Sequence, residues 1–392
     1  MINTPISIYI HIPFCEHRCA YCDFNTYAGV ADLIPAFVDA LICEIEQLSD
    51  DGQKCVPTTL FFGGGTPSLL SAVSYEKIFT QLGKTFDLSD LSEISLEVNP
   101  GTVSNGYFKD LKSIGFNRVS LGVQSTNLRF LKFLERIHDY QDVISGVEQI
   151  REAGIENINL DLIYSIPGQT LSDWEGDLKK ILDLQTPHTS LYSLGIEDGT
   201  PLAKWYSKGL IERQNDDLAA DQYDLAESLL RDNGFGHYEI SNWAKQGFEC
   251  QHNLAYWRNA DYLGLGPGAH GHFKGMRYSV IPGLRAYIKA ACTYDHTGSG
   301  QFPITSANKD FSQLTPKQSL QDALMVGLRL LDEGVNLTEL SQRFELDVPK
   351  IYKVEIEQLL RDELIELEKG RMRLTSKARF ISNRVFSLFV GD

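Results

Sequence analysis

The chain has 392 residues, 43% of them hydrophobic, which is enough for a large core and more than one domain. Its formal net charge of −16 argues against binding to a phosphate backbone, so we expect no nucleic-acid partner. No stretch approaches the roughly 20 apolar residues that a membrane-spanning helix needs, and Met1–Pro5 leads directly into an apolar run without a secretory signal. We therefore expect a soluble, cytoplasmic protein with at most peripheral membrane contact.

The first 200 residues alternate strand and helix patterns. Strands are predicted at Ile6–Ile12, Thr58–Gly63, Glu93–Asn99, Arg118–Gln124, Asn157–Ile166 and Thr189–Ile196. Helices are predicted at Asp32–Leu48, Tyr75–Leu82, Ser104–Ile114, Tyr140–Ala153 and Leu171–Leu184, with Gly115 and Gly154 as stop signals. Such alternation implies a parallel sheet. The number of βα units is two short of a closed eightfold barrel, so the predicted fold class is α/β, with an open, partial (βα)6 barrel.

Three cysteines follow the first predicted strand: Cys15, Cys19 and Cys22, at C-x3-C-x2-C spacing. Three thiolates can hold three irons of a cubane [4Fe-4S] cluster and leave the fourth iron open, whereas the usual ferredoxin site has four cysteines. The amino and carboxylate groups of S-adenosylmethionine (SAM) could chelate an open iron. The alternative is a structural zinc loop completed by His11, His17 or Cys250, but zinc prefers paired C-x2-C ligands. The other cysteines, Cys43, Cys55 and Cys292, are predicted to be ordinary core or surface thiols.

Polar residues gather at the predicted carboxyl ends of the other strands, where βα barrels place their reactive groups. Gly63–Pro67 follows the second strand, and this glycine-rich segment predicts either a tight turn or backbone brought close to a ligand. Glu97, Gln124 and Asp161 lie on the next three strands, where we expect them to contact a cofactor. A bound sulfonium and ammonium would balance the acids, and Arg136 could bind the cofactor's carboxylate as a fork.

The chain from about residue 314 has a different pattern. Amphipathic helices are predicted at Ser319–Leu331, Leu337–Phe344 and Val348–Asp362, followed by a hairpin of Leu364–Glu368 and Arg371–Thr375. This order predicts a winged-helix-like module, although it lacks a basic recognition face. The predicted domains are a partial βα-barrel for the cluster and SAM over 1–200, a connecting α+β region over 201–313, and the winged-helix-like module over 314–392.

Several motifs resemble the HemN/HemW group of radical SAM proteins, which contains oxygen-independent coproporphyrinogen III dehydrogenases and haem chaperones. The resemblance covers nearly the whole chain and rests on Tyr9–Cys15, Cys22–Phe24, Phe62–Ser68, Leu121–Gln124 and Asp161–Gly168. It implies a [4Fe-4S] cluster, SAM and a C-terminal domain packed beside the partial barrel. By the same resemblance, Gly64 borders the methionine end of SAM, and the other SAM-site residues are Tyr9, Tyr21, Gly65, Thr66, Glu97, Gln124, Arg136, Asp161 and Gly195.

Three features separate the branches of this group. The dehydrogenase pattern has a further cysteine two residues after the third, where this chain has Phe24. Dehydrogenases also carry an N-terminal extension before the first strand, which is absent from this sequence. Conversely, His252–Trp257 reads His-Asn-Leu-Ala-Tyr-Trp and matches the HNxxYW motif of the haem-chaperone branch. The resemblance therefore favours a haem chaperone, with dehydrogenase chemistry on coproporphyrinogen III, driven by a 5′-deoxyadenosyl radical, as the alternative.

The haem ligand stays open at the level of sequence. His252 is a candidate because imidazole is the commonest proximal haem ligand, and Tyr256 and Trp257 offer aromatic contact area. Further candidate ligands are Cys250, His270 and His272. A histidine among aromatics is also a common core residue. The partners implied by the resemblance are haem as cargo, haem-accepting proteins such as respiratory cytochromes, and an electron donor for the cluster.

Overall fold

A computed structural model describes residues 4–49, 55–104, 106–293 and 302–390. The predicted βα alternation forms one large sheet, and its first six strands run through the barrel portion of the chain. The strands of this sheet are β1 (Thr4–Ile12), β2 (Cys55–Gly64), β3 (Glu93–Val98), β4 (Arg118–Gln124), β5 (Asn157–Tyr164), β6 (His188–Ser193), β7 (Gly236–Glu239), β8 (Asn242–Ala244), β9 (Tyr262–Leu265), β10 (His270–Phe273), β11 (Met276–Val280) and β12 (Asn308–Gln313).

The sheet has 12 strands in the order β12-β11-β10-β9-β1-β2-β3-β4-β5-β6-β8-β7. Strands β1 to β6 are parallel neighbours in chain order, and β9 joins them in parallel on the free side of β1. The remaining strands pair antiparallel at the two ends. In the part of the chain that the structure describes, the two terminal strands do not pair with each other, which agrees with the predicted open barrel.

Helices cover the parallel strands and bury their apolar faces against them. They are α1 (Ile34–Glu46), α2 (Ala72–Thr85), α3 (Tyr107–Ile114), α4 (Leu128–Phe133), α5 (Tyr140–Glu152), α6 (Leu171–Asp183), α7 (Pro201–Ser207), α8 (Asp216–Asp232), α9 (Gln251–Trp257) and α10 (Leu284–Ala291). Gly115 and Gly154 follow α3 and α5 with positive φ, as the sequence predicted. Asp139 and Thr170 form capping boxes at α5 and α6, which satisfy the free amides there.

The sheet extends across the boundary predicted at residue 200. Strand β9 comes from the middle of the chain, and its Leu263 lies in register with Ile8 of β1. The β9–β10 loop and the segment after β11 both contact the segment after the third cysteine, because Asn25 Nδ2 donates to Pro267 O at 2.8 Å and to Pro282 O at 2.9 Å. The sheet of the predicted barrel segment therefore also contains strands from the predicted connecting region, and β9 is the one that pairs with β1.

The C-terminal part has its own apolar core. Its elements are β13 (Val335–Asn336), β14 (Ile365–Glu368), β15 (Arg371–Leu374), α11 (Pro316–Gly327), α12 (Leu337–Phe344), α13 (Val348–Ile351), α14 (Lys353–Arg361), α15 (Ser376–Arg379) and α16 (Ser382–Phe386). The predicted hairpin is present as β14 and β15, and β13 adds a third strand. None of the described helices has the length and apolar character needed to cross a membrane.

Candidate functional site

A cavity of about 600 Å³ opens at the carboxyl ends of the parallel strands. Every strand of the partial barrel except β2 contributes polar side chains to it, as expected where the reactive groups of βα barrels gather. Most of the residues predicted for the cluster and SAM line this one cavity: Tyr9, Cys15, Cys19, Tyr21, Cys22, Gly64, Gly65, Glu97, Gln124, Arg136, Asp161 and Gly195. The topology thus brings together residues that are widely separated in sequence.

The three cysteines lie on a loop that the barrel holds from two sides. Cys15 ends a two-residue strand, Phe14–Cys15, and its Sγ accepts a hydrogen bond from Thr66 Oγ1 at 3.7 Å. Arg136 Nη1 donates to Cys19 Sγ at 3.7 Å. Burial raises the pKa of the Cys15 and Cys22 thiols, so a bound cationic metal would be needed to keep both as thiolates at neutral pH.

The surroundings of this loop fit a cubane cluster better than a zinc ion. Within the described ranges, no three His, Cys, Asp or Glu side chains converge on a position for one metal ion. A cubane binds each thiolate to a different iron, so its ligands need not converge on one point. The residues that could complete a zinc site have other partners. His11 contacts Tyr9 and Asn25, and Cys250 contacts Glu93. The Nε2 of His17 lies 3.6 Å from Glu135 Oε2.

Two buried carboxyl groups make the cavity suitable for a cationic ligand. Glu97 Oε2 accepts a hydrogen bond from Gly64 N at 2.9 Å, yet burial raises the pKa of Glu97 to about 7. Asp161 accepts from Ser120 Oγ and Asn159 Nδ2, both at 2.7 Å, and burial raises its pKa as well. A sulfonium or ammonium nearby would stabilise both carboxylates.

Arg136 lies between the cysteine loop and the carboxyl end of β4. Its Nη2 donates to Asn99 Oδ1 at 2.7 Å and to Gly122 O at 2.8 Å, while its Nε is buried without a hydrogen-bond partner among the described residues. The hydrogen bonds of Nη2 hold the guanidinium in place, and its remaining N–H groups can donate to a carboxylate of the ligand. Gln124 nearby has a positive φ of 64°, and strained backbone of this kind occurs preferentially at ligand sites.

The glycine-rich segment after β2 is shaped first by its protein neighbours. A Cβ on Gly64 would lie 2.3 Å from His11 Cε1, and one on Gly65 would lie 2.5 Å from Phe14 O. These glycines therefore permit the close approach of the cysteine loop to β2, and they border the cavity as a result. Thr66 does not line the cavity but lies behind it, where it accepts a hydrogen bond from Asn99 Nδ2 at 2.8 Å.

The HNxxYW segment forms helix α9, which starts at the amino end of β3. Glu93, the first residue of β3, accepts hydrogen bonds from Gln251 N at 2.8 Å and His252 N at 3.1 Å, and Cys250 Sγ donates to it at 3.5 Å. These bonds satisfy the free amides at the helix start. His252 and Tyr256 of this helix line the cavity of about 600 Å³, which we call the first cavity. They approach it from the end of the strands opposite the cysteine loop.

His252 is 1% exposed, and both of its ring nitrogens are engaged. Nδ1 lies 2.7 Å from Thr59 Oγ1, Nε2 lies 2.9 Å from Tyr256 Oη, and the ring stacks on Phe61. Burial lowers the pKa of His252 to about 3, helped by the positive charge of Arg118. A neutral imidazole suits a metal, but ligation by His252 would require the loss of one of these hydrogen bonds.

The other candidate haem ligands lie elsewhere. Trp257, His270 and His272 line a second cavity, of about 480 Å³, that adjoins the first. Cys250 is fully buried and lines neither cavity. Burial raises the pKa of its thiol to about 12, so it remains protonated.

Several residues that line the cavity were not among the residues predicted for the site, although Asn99 was predicted to end the third strand. Asn99 joins Arg136 to Thr66, and Arg118 is a 2% exposed cation that lines the cavity near Glu93 and Asp161. Polar residues at alternate positions on β3, β4 and β5 were the available signal, because period-two alternation directs side chains to one face of a sheet. Arg118 begins such a series on β4.

Comparison with known proteins agrees with this arrangement. Residues 9–181 match the radical SAM superfamily, and residues 314–381 match the HemN C-terminal domain. The coproporphyrinogen III oxidase HemN of Escherichia coli, a radical SAM enzyme of known structure, superimposes with a TM-score of 0.83 at 20% identity, over 99% of this chain and 91% of that chain. At this identity the superposition establishes a shared fold.

Two curated relatives match over nearly their full length. The heme chaperone HemW of Lactococcus lactis is 36% identical over 392 residues, which covers 100% of this chain and 99% of the relative. The heme chaperone HemW of Bacillus subtilis is 34% identical over 388 residues, which covers 98% and 99%. A radical SAM fold whose carboxyl-end cavity collects three cysteines, combined with this full-length similarity, places the chain in the HemW family of the radical SAM superfamily.

Proposed function

We propose that this protein is a radical SAM haem chaperone, which binds haem and transfers it to haem-dependent acceptor proteins. The observation that carries the proposal is full-length similarity to proteins named heme chaperone HemW. The HNxxYW segment at His252–Trp257 and the presence of Phe24 in place of a further cysteine support the same branch. Respiratory cytochromes are the acceptors that we propose.

The family implies a [4Fe-4S] cluster and SAM, and the residues of the first cavity fit both. Cys15, Cys19 and Cys22 would hold the cluster, with Arg136 fixing the loop through its bond to Cys19. Glu97 would face the cationic part of SAM. When bound, the cluster supplies an electron to the SAM sulfonium.

The protein's own side chains would position SAM and limit its contact with water. Tyr9 and Tyr256 form apolar walls on one side of the cavity, and the ring of Tyr9 stacks on Phe61. With the cationic cofactor bound, Asp161 and Glu97 would be ionised in a buried setting, where electrostatic attraction to a cation exceeds its value in water. We propose that SAM and the cluster gate or support haem transfer, which needs an electron donor for the cluster.

A transfer experiment tests the proposed function. The protein is reconstituted with iron and sulfide under anaerobic conditions, loaded with hemin, separated from free hemin and mixed with an apo-cytochrome. We expect the Soret spectrum of the holo-cytochrome to appear faster than with an equal amount of hemin on serum albumin. Equal rates would contradict the chaperone proposal.

A second assay separates the dehydrogenase alternative. The same reconstituted protein is incubated with coproporphyrinogen III, SAM and a low-potential reductant, with a reaction lacking SAM as the control. We expect no protoporphyrinogen above the control. Its SAM-dependent formation would identify the protein as a dehydrogenase instead.

A further inference from the structure

The second cavity adjoins the first, but its lining has histidines and aromatic side chains and none of the three cysteines. Its volume, about 480 Å³, falls within the roughly 300–1,000 Å³ of typical cofactor pockets. Both cavities are lined by Tyr9, Phe24, Gly64, Glu97 and Tyr256, so the two share a wall. The second cavity lies on the side of β1 where β9 and β10 extend the sheet. It is therefore placed to hold a second ligand beside the cofactor site.

Strand periodicity brings three of its polar residues to one face. His270 and His272 are two residues apart on β10 and therefore point to the same side. Arg277 of β11 lies directly opposite His272 in the antiparallel register, so its side chain shares that side. Gly271, between the histidines, faces the other way, where a Cβ would clash with the ring of Tyr278. The sequence thus places two imidazoles and one guanidinium on one cavity wall.

His272 has the arrangement expected of a metal ligand. It is 7% exposed, and its Nε2 has no hydrogen-bond partner among the described residues. Its Nδ1 lies 4.0 Å from Asp261 Oδ1, which is longer than a hydrogen bond, and the backbone of Ala260 also interacts with the ring. Unpaired buried nitrogens are uncommon in proteins and indicate an absent partner.

The rest of the lining suits a flat aromatic ligand with acidic groups. Tyr256, Trp257 and Tyr262 supply aromatic surface, and the indole Nε1 of Trp257 is buried without a partner among the described residues. Phe24 is 59% exposed at the edge shared with the first cavity, where a bound ring would cover it. Arg277 forms an ion pair with Asp322, but a guanidinium has five N–H donors, so others remain for a carboxylate.

We propose that this second cavity is the haem site, with His272 as the iron ligand and Arg277 as the partner of a propionate. This inference rests on the proposed function, since it assigns the location of the cargo. The porphyrin ring lies against Trp257 and Tyr256, beside the SAM cavity and separated from it by Tyr9. His252 supports the wall through its hydrogen bond to Tyr256 and does not coordinate the iron.

Absorbance titrations with hemin and with metal-free protoporphyrin IX test this assignment. His272→Ala should weaken hemin binding tenfold or more and change the Soret band, while protoporphyrin IX binding stays within twofold of wild type. Added imidazole should restore the wild-type Soret band in His272→Ala, which a purely structural role would not allow. Arg277→Met should weaken both porphyrins about fivefold or more, whereas Arg231→Met, at an exposed ion pair with Asp232, should weaken neither.

The outcomes separate the two proposals. If wild-type protein binds neither hemin nor protoporphyrin IX, the proposed function fails together with this inference. If wild type binds hemin but His272→Ala and Arg277→Met titrate like wild type, only the cavity assignment is overturned. Loss of the Soret band in His252→Gln alone, with His272→Ala unchanged, would also overturn it and move the ligand to α9. Cluster content and thermal unfolding of each variant show that it is folded.

Discussion

Glu97 should make SAM binding depend on pH in the neutral range. Burial raises the pKa of its carboxyl to about 7, although the Gly64 amide hydrogen bond opposes this shift. A cationic cofactor favours the carboxylate over the neutral acid. SAM affinity should therefore be highest at alkaline pH, where Glu97 is ionised before binding, and should fall as the pH decreases through about 7.

The size of the effect follows from that pKa. At pH 6 about one carboxyl in eleven is ionised, so SAM should bind about tenfold more weakly than on the alkaline plateau, a cost of about 1.4 kcal/mol. At pH 7 the loss should be about twofold. Binding at pH 7 should also release about half a proton per SAM from Glu97, which is the calorimetric signature of the same linkage.

The assay is isothermal titration calorimetry on anaerobically reconstituted protein between pH 6 and 8.5, in buffers of different ionisation enthalpy. Glu97→Gln should bind SAM more weakly on the alkaline plateau and lose the steep decrease below pH 7. The titration of SAM itself remains in this variant, so the difference between the two profiles isolates Glu97. Identical pH profiles and identical proton release for wild type and Glu97→Gln would refute the reasoning.

Three further predictions concern the loop and the helix that close the first cavity. Cys19→Ser should abolish the iron-sulfur absorbance and acid-labile sulfide after reconstitution, whereas Cys250→Ser should retain both. If both variants lose the absorbance and the sulfide, the ligand assignment is contradicted. Glu93→Ala should lower the free energy of unfolding by about 3–5 kcal/mol in chemical denaturation, because it uncaps α9 and removes one of the two carboxylates near the buried Arg118. A loss below about 1 kcal/mol would show that the cap is dispensable. Gly65→Ala should lower the free energy of unfolding by about 1–3 kcal/mol and reduce the cluster content, since its Cβ would lie 2.5 Å from a backbone oxygen of the cysteine loop. The control is Gly176→Ala on α6, where the added Cβ meets open space, and it should leave the free energy of unfolding unchanged or raise it.

The barrel elements were predictable because their signals are local. The strand predicted at Arg118–Gln124 has the same bounds in the structure, and the helix predicted at Tyr140–Ala153 ends one residue earlier, at Glu152. Apolar strand runs, amphipathic helices and glycine stop signals all lie within one βα unit. The parallel pairing of β9 with β1 was not predicted, because the register between Tyr262–Leu265 and a strand some 250 residues earlier leaves no local pattern.

The candidate site could be predicted where its residues lie on the predicted strands. Glu97, Gln124 and Asp161 lie on consecutive parallel strands and meet in one cavity, as the topology of a βα barrel predicts. Arg118 was missed because an arginine at the start of a strand is normally solvated, and its carboxylate partners Glu93 and Asp161 come from two other strands. The second cavity was missed for a related reason: it is formed by β10 and β11, which were not predicted as strands.

The position of β9 bears on how the chain is synthesised and folds. Strand β1 is made first but lies inside the sheet, between β2 and β9, so one of its edges stays unpaired until residues 262–265 have been translated. An exposed apolar strand edge can pair with other chains. The nascent barrel therefore exposes this edge of β1 during that interval. A fragment ending near residue 200 should accumulate as aggregates, even though it contains every cysteine of the cluster loop.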